Sequence, residues 1–286
     1  MIHEFIASWA LFYTTYIVGW LISLLLALVG VLVVARDQIF LGAAMSQAST
    51  LGIALALSLG SWTAISAWGW VHTDAFLSVM AVVFSVLAAL LTARVGAGKE
   101  SHEAVTGWVF LVSASGSILI VSHSPHGLDE IHRLLLSSII GATSVDMWTF
   151  GALAGVTALM LAATYRRVLL FALDPAMAAA VGMRITPWAA ITSAWLGLAV
   201  GLSIRSSGML YTFGCLVLPA LIAKNICREV RPMFYVTPMV AIGTATVGFV
   251  LADHYDDPPA QMTVALLCLL LMAAWLFRRL RHGGAT

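Results

Sequence analysis

Residues 9–34, WALFYTTYIVGWLISLLLALVGVLVV, contain no charged side chain. A helix needs about 20 mostly apolar residues to cross the hydrocarbon core of a bilayer, so this stretch predicts a membrane span. Similar runs recur as far as residue 277, separated by short clusters of charged residues. Across the 286 residues, 61% are hydrophobic and only 9% are charged. The composition therefore predicts an all-α, multi-pass membrane protein embedded in a lipid bilayer.

The apolar runs between charged clusters predict eight or nine spans within a single transmembrane domain over residues 1–286. The candidate runs are residues 9–34, 39–59, 75–94, 104–122, 134–165, 187–204, 208–226, 233–252 and 260–277. No long polar segment remains for a soluble catalytic domain, and no nucleotide-binding strand–loop–helix is present. Any ATP chemistry must therefore come from a partner.

The basic residues predict the orientation, because short loops rich in Lys and Arg stay cytoplasmic. If the first span passes from the outer side to the cytoplasm, all but two of the 14 basic residues lie on the cytoplasmic side. This orientation places the N-terminus outside and the C-terminus in the cytoplasm. Arg133 and Arg205 are the two left outside. Since topology already explains the basic residues, the net charge of +1 gives no indication of nucleic-acid binding.

Residues 174–183, DPAMAAAVGM, predict a short cytoplasmic helix. Asp174 is a suitable N-cap, Pro175 fits the first turn, and the helix beginning near Ala176 should end near Gly182. The helix is too short to cross the membrane, and basic residues flank it. An exposed apolar helix of this kind indicates a protein partner, and the alternative is a simple connector.

Two clusters are predicted to lie on the outer face. Residues 122–133, SHSPHGLDEIHR, combine three histidines with two carboxylates, but without the fixed spacing of a zinc site. A solvated polar loop is the favoured interpretation of that cluster. The second cluster, around Asp253, His254, Tyr255 and Asp256, is either a docking edge for a partner or a rim that attracts metal ions.

The second predicted span carries small residues at helical intervals over residues 40–57, FLGAAMSQASTLGIALAL. Small residues let membrane helices approach closely. Ser46 and Gln47 add a polar patch to this span. Polar groups inside the membrane are either functional or hydrogen-bonded across helices, and both readings remain open here.

Four segments together resemble the membrane permease subunit of the bacterial ABC importers for zinc, manganese and iron(II). They are FLGAAMSQASTLGIA (40–54), DPAMAAAVGM (174–183), GMLYTFGCLVLPALIAK (208–224) and HYDDPPAQ (254–261). The resemblance implies an all-helical homodimer in the bacterial inner membrane, with the translocation path along the dimer axis. It also implies two cytoplasmic ATPase subunits that bind ATP and Mg, and an extracytoplasmic solute-binding protein, with no cofactor held by this chain. Asp174, Pro175, Ala176 and Gly182 would then belong to the helix that couples the permease to its ATPase.

One departure from that family concerns the second span. Similar permeases carry an Asp and, four residues later, a His, which face the path as a metal site, whereas this chain has Ala43 and Gln47. A four-residue interval places both side chains on one helix face. Alanine offers no ligand and an amide is a poor substitute for imidazole, so the paired metal site is not expected here.

Three explanations of this departure remain open. The metal passes a weaker site formed by Met45, Ser46, Gln47 or Cys215, in which the sulfur atoms would suit copper(I) or iron. Alternatively, the substrate is a metal chelate recognised by shape. In the third explanation, the selective site lies near the outer mouth at Asp253, His254 and Asp256.

The sequence as a whole predicts the permease of an ATP-driven importer for a divalent transition metal, with import of a metal chelate as the alternative. An ion-coupled secondary transporter would carry mid-membrane charges and an internal repeat. Neither feature is evident in the sequence. A membrane enzyme built on residues 123–132 would need defined ligand spacing, which the segment lacks.

Overall fold

The computed structural model describes residues 2–61, 73–95, 101–122 and 139–282, and the regular structure of these residues is helical. A single 3-10 turn covers Ile139–Gly141. The α-helices are α1 (Ile2–Ala35), α2 (Ile39–Ser61), α3 (Asp74–Val95), α4 (His102–Ser122), α5 (Ser144–Leu173), α6 (Pro175–Ala180), α7 (Ile185–Ile226), α8 (Val230–Tyr255) and α9 (Pro259–His282). The all-α class predicted from the sequence is confirmed for the described residues.

Eight of the described helices are long and apolar enough to cross a membrane. The longest, α7, is interrupted at Gly208, whose φ of 79° and ψ of 167° lie far from helical values. The predicted spans 187–204 and 208–226 are the two parts of this helix on either side of the interruption. The number of spans therefore agrees with the eight or nine that the sequence predicts.

Helix α5 differs from the predicted fifth span, residues 134–165. The helix begins at Ser144, where Thr143 and Asp146 form a reciprocal cap: the Thr143 backbone N–H donates to Asp146 Oδ2 at 2.9 Å, and the Asp146 N–H donates to Thr143 Oγ1 at 3.3 Å. It continues through Arg166 and Arg167 to Leu173. Arginine is a good helix former, so the helix continues until Asp174 and Pro175 end it. Residues 134–138 lie outside the described ranges.

The chain packs as two compact units. The first unit contains α1, α5, the part of α7 from Leu210 onward, α8 and α9. In this unit α1 packs against α5 and α8. A Cβ added to Gly30 of α1 would overlap the backbone carbonyl oxygen of Leu216 in α7, which shows that these two helices approach backbone to backbone.

The second unit contains α2, α3, α4, α6 and the part of α7 up to Met209. Here α2 packs against both α3 and α4. A Cβ on Gly52 of α2 would lie 2.5 Å from the Met80 carbonyl oxygen of α3, and one on Gly197 of α7 would lie 2.7 Å from Val86 Cα. Small residues at these positions permit the close helix approach that the second-span sequence predicts.

The two ends of the first unit carry different sets of charged side chains. At one end Lys224 Nζ lies 2.7 Å from Asp37 Oδ1, and the Arg36 guanidinium lies 4.6 Å from the Phe171 ring centroid. Burial lowers the pKa of the Arg36 guanidinium from its usual value. The opposite end of α8 carries Asp253 in its last turn, and Asp256 and Asp257 follow in the turn that leads to α9. Arg36 and Lys224 therefore lie at one end of this unit, and Asp253, Asp256 and Asp257 lie at the other.

Candidate functional site

Four residues of the second span concern the candidate site, and two of them are accessible while two are buried. Ala43 and Gln47, one helical turn apart, are each partly exposed. Met45 and Ser46 are buried, with exposed fractions of 0% and 1%. Of these four residues, only Ala43 and Gln47 are accessible at the surface of α2 in this structure.

Gln47 meets a residue that sequence reasoning did not single out. Its Nε2 donates to Met209 Sδ at 3.1 Å, within the second unit. Met209 directly follows the interruption of α7 at Gly208. An amide and a thioether are therefore brought together beside a non-helical peptide. The interruption brings a residue distant in sequence to the open face of α2, and no local pattern in the sequence indicates that contact.

Ser46 uses its hydroxyl within its own helix. Its Oγ donates to the Gly42 carbonyl oxygen at 2.8 Å, while Ser46's own carbonyl accepts from Thr50 Oγ1 at 3.1 Å. Such back-bonding satisfies a hydroxyl without a partner helix. By contrast, Ser49 and Ser85 are buried and find no hydrogen-bond partner among the described residues.

Cys215 belongs to the first unit and is fully buried. Its Sγ lies 3.6 Å from Ser23 Oγ, and Ser23 Oγ lies 2.6 Å from Tyr211 Oη. Tyr211, also fully buried, donates to the Gly19 carbonyl oxygen at 3.0 Å. Cys215 thus takes part in a packed polar cluster that joins α1 to α7, and sequence reasoning missed Tyr211 as its centre.

The acidic turn between α8 and α9 lines a pocket of about 180 Å³. Asp253 in the last turn of α8 accepts from Tyr16 Oη at 3.4 Å. Asp256 ends the helix in the left-handed conformation, with φ 56° and ψ 32°, and Phe249 forms part of the apolar wall. His254 and Tyr255 are exposed and stack edge to face, with ring centroids 4.9 Å apart. Of this predicted set, Asp253 and Asp256 line the pocket.

Helix α6 forms where residues 174–183 predict a short helix. Asp174 caps it by accepting from the Met177 backbone N–H at 2.8 Å, and Pro175 occupies the first turn. The chain leaves the helix at Gly182, whose φ is +88°, a conformation that glycine adopts without steric cost. Met177 and Val181 are 54% and 66% exposed. The helix and its cap are confirmed, and it presents the apolar surface that the sequence predicts.

With this geometry established, comparison with known proteins identifies the family. A model of the ABC 3 transport family matches residues 8–278. The chain belongs to the ABC 3 transport family.

Curated relatives of this ABC 3 chain cover nearly its full length. It is 21% identical over 279 residues to the manganese import system permease protein ScaB of Streptococcus gordonii, covering 96% of this chain and 95% of ScaB. It is 22% identical over 256 residues to the chelated iron transport system membrane protein YfeD of Yersinia pestis, covering 89% and 81% of the two chains. Both proteins are therefore similar to this chain over most of their length.

The fold is also that of a solved structure. PsaBC from Streptococcus pneumoniae, solved in complex with Fab, superposes with a TM-score of 0.78 at 19% identity, covering 96% of this chain and 95% of that chain. As a member of the ABC 3 transport family, the chain is a multi-pass membrane permease. The resemblance drawn from its sequence segments is confirmed, and its role is transport.

The described residues of this ABC 3 permease contain no group of three or more His, Cys, Asp or Glu side chains able to hold a metal ion. The histidine-bearing segment, residues 123–132, lies outside the described ranges. At the second-span face, the available donors are the Gln47 amide and the Met209 thioether. An amide oxygen and a neutral sulfur bind a divalent ion more weakly than a carboxylate and an imidazole do.

Proposed function

We propose that this chain is the permease of an ATP-driven importer that carries a divalent transition metal, manganese, zinc or iron, across the bacterial cytoplasmic membrane. The match to the ABC 3 transport family over residues 8–278 carries this proposal. The curated names support it, since ScaB is a manganese import permease. The metal is cargo, and this chain holds no cofactor of its own.

The transporter contains two copies of this chain, each acting as one permease domain, with the N-terminus outside and the C-terminus in the cytoplasm. Two cytoplasmic ATPase subunits bind ATP and Mg, and an extracytoplasmic binding protein delivers the substrate. The basic residues Arg36 and Lys224 at one end of the first unit, with Asp253, Asp256 and Asp257 at the other, support this orientation. The permease itself switches between two conformations that differ in substrate access.

Three parts of the chain have distinct proposed roles. The end of α8, with Asp253, His254, Tyr255 and the capping Asp256, forms the outer mouth, where the binding protein docks. Helix α6, with its N-cap Asp174 and the following Gly182, contacts the ATPase through the exposed apolar side chains of this segment. The path runs along the open face of α2, where Gln47 contacts the substrate. Met45, Ser46 and Cys215 are buried in this structure, so they contribute only in a conformation that exposes them.

A metal chelate is the second candidate substrate. The open face of α2 has a methyl group at Ala43 where similar permeases carry a carboxylate, and an amide at Gln47 where they carry an imidazole. These side chains leave space and offer hydrogen bonds, which suits a chelate better than a bare ion. The name of YfeD, a chelated iron transport protein, is consistent with this alternative.

Reconstitution with the cognate ATPase and binding protein tests both candidates. ATP-dependent uptake is measured for free Mn, Zn and Fe(II) and for iron chelates, in wild type and in Gln47→Ala. Free-ion uptake reduced severalfold by Gln47→Ala supports handling of bare metal at the α2 face, whereas uptake of chelates alone supports the second candidate. Thr50→Ala is the matched control, because the Thr50 hydroxyl bonds within its own helix. Absence of ATP-dependent uptake of every metal form contradicts the proposal.

A further inference from the structure

An open groove of about 820 Å³ lies at the basic end of the first unit, between the end of α7 and the last turns of α9. Its apolar lining comes from one face of α9, at residues 269, 272, 273 and 276, a spacing that places these side chains in one row. Met272 and Leu276 are 59% and 61% exposed. Within the described residues this row has no protein cover.

The groove ends in two arginines. Arg278 and Arg279 line it, and Arg278 Nη1 donates to Asn225 Oδ1 at 3.1 Å. That hydrogen bond holds one guanidinium at the junction of α7 and α9. Because Arg279 has no acidic residue beside it in the groove lining, the polar end of the groove is cationic.

We infer that this groove binds an anionic phospholipid, with an acyl chain along the row from Leu269 to Leu276 and the headgroup phosphate at Arg278 and Arg279. The inference depends only on the chain's position in a membrane and not on the transported substrate. Guanidinium groups bind phosphate through paired N–H donors, and basic pockets beside membrane helices bind anionic headgroups. Trp275, which is 52% exposed and lines the groove one turn before Arg279, is of the residue type enriched at the level of lipid headgroups.

Charge and shape together favour a lipid over the other possible occupants. A small free anion would use the two arginines but would leave the apolar row exposed. A second copy of this chain would cover the apolar row but would have to supply a matching anionic group at Arg278 and Arg279. An anionic phospholipid matches both features. Its acyl chain would cover the apolar row, and its headgroup would meet the two arginines that follow the row along α9.

Native mass spectrometry of the full chain in detergent tests the inference. The delipidated protein is titrated with phosphatidylglycerol, with phosphatidylcholine of the same acyl chains, and with soluble glycerol phosphate. We expect phosphatidylglycerol to bind more tightly than phosphatidylcholine and glycerol phosphate to fail to compete. Since a basic residue near an anionic headgroup contributes about a fivefold factor in affinity, the double substitution Arg278→Gln and Arg279→Gln should weaken phosphatidylglycerol binding about twenty-five-fold.

The chain supplies a matched control in Arg166 and Arg167, another exposed arginine pair outside the groove lining. Replacing both with Gln should leave phosphatidylglycerol affinity unchanged. Equal weakening by the two double substitutions would overturn the inference, because it would show that the lipid responds to overall charge. Equal binding of the two phospholipids by the wild type would overturn it as well.

A second variant keeps the test independent of any folding defect caused by loss of charge. Ala273→Trp fills the apolar row and leaves both arginines in place. Displacement of phosphatidylglycerol with an unchanged oligomeric state supports the inference. Unchanged lipid binding overturns it, and so does loss of the dimer without loss of lipid, which would assign the groove to a second copy of the chain.

Discussion

Gly30 sits where α1 and α7 pack backbone to backbone, and no side chain can be accommodated there. A Cβ at this position would overlap the Leu216 carbonyl oxygen, so one of the two helices must shift. We therefore expect Gly30→Ala to destabilise the folded chain by about 2 kcal/mol or more. The free energy of unfolding in detergent micelles measures this effect.

Gly155 in α5 provides the control for that substitution. A Cβ there meets no described atom within 4 Å, and alanine is the better helix former. Gly155→Ala should leave stability unchanged or slightly higher. An equal loss of unfolding free energy at both positions would mean that alanine destabilises any helical glycine position. The close approach of α1 to α7 would then not be the cause.

Tyr211 is the centre of the buried polar cluster in the first unit. Tyr211→Phe removes the hydroxyl that bonds to Ser23 and to the Gly19 carbonyl, and it leaves Ser23 Oγ with only the weak Cys215 contact. We expect a loss of about 1 kcal/mol in unfolding free energy. The control is Tyr235→Phe, since Tyr235 is 77% exposed. Identical unfolding curves for the two variants would contradict a structural role for the cluster.

At the scale of single elements, α6 depends on one side chain at its start. Asp174 accepts the Met177 N–H, and loss of an N-cap costs about 1 kcal/mol, which is large for a helix of 6 residues. If α6 couples the permease to its ATPase, Asp174→Ala should reduce substrate-stimulated ATP hydrolysis by the assembled transporter. Asp174→Asn, which keeps a capping oxygen, should retain most of it. Equal activity in all three proteins would argue against coupling through α6.

The interruption of α7 depends on Gly208. A φ of 79° with a ψ of 167° is a conformation that only glycine adopts readily. Gly208→Ala should therefore cost about 1–3 kcal/mol and disturb the contact between Met209 and Gln47. Thermal unfolding and transport assays on the same preparations measure the two effects. The matched substitution Gly243→Ala, in an open helical position of α8, should change neither.

Element boundaries show where local sequence patterns are sufficient. The ends of α6 follow from Asp174, Pro175 and Gly182, because caps and left-handed residues act through neighbours in sequence. The predicted fifth span, residues 134–165, stops before Arg166 and Arg167, whereas α5 continues through both to Leu173. Long arginine side chains can extend away from apolar surroundings while the helix continues, so a charge pair alone does not end a helix.

At the scale of the whole molecule, the proposed orientation can be tested by chemical labelling. Single cysteines are placed at position 257, in the turn between α8 and α9, and at position 279, near the end of α9, after Cys215, Cys227 and Cys268 are replaced by serine. A membrane-impermeant maleimide applied to intact cells should label position 257 and not position 279. Permeabilised cells should show labelling at both positions. Labelling of position 279 alone in intact cells would reverse the proposed topology.

The sequence by itself determined that this is an all-helical membrane protein, because long apolar runs have no other stable arrangement in a bilayer. The role of permease came from the resemblance of its four segments to a known family. It also determined α6 and its cap, which rely on contacts within a few residues. Tertiary structure decided that Ala43 and Gln47 are accessible while Met45 and Ser46 are buried. It also decided that Met209 meets Gln47, and that Tyr211 joins Ser23 and Gly19. These outcomes depend on which helix faces pack together, and packing is set by shape and small-residue contacts between segments far apart in sequence.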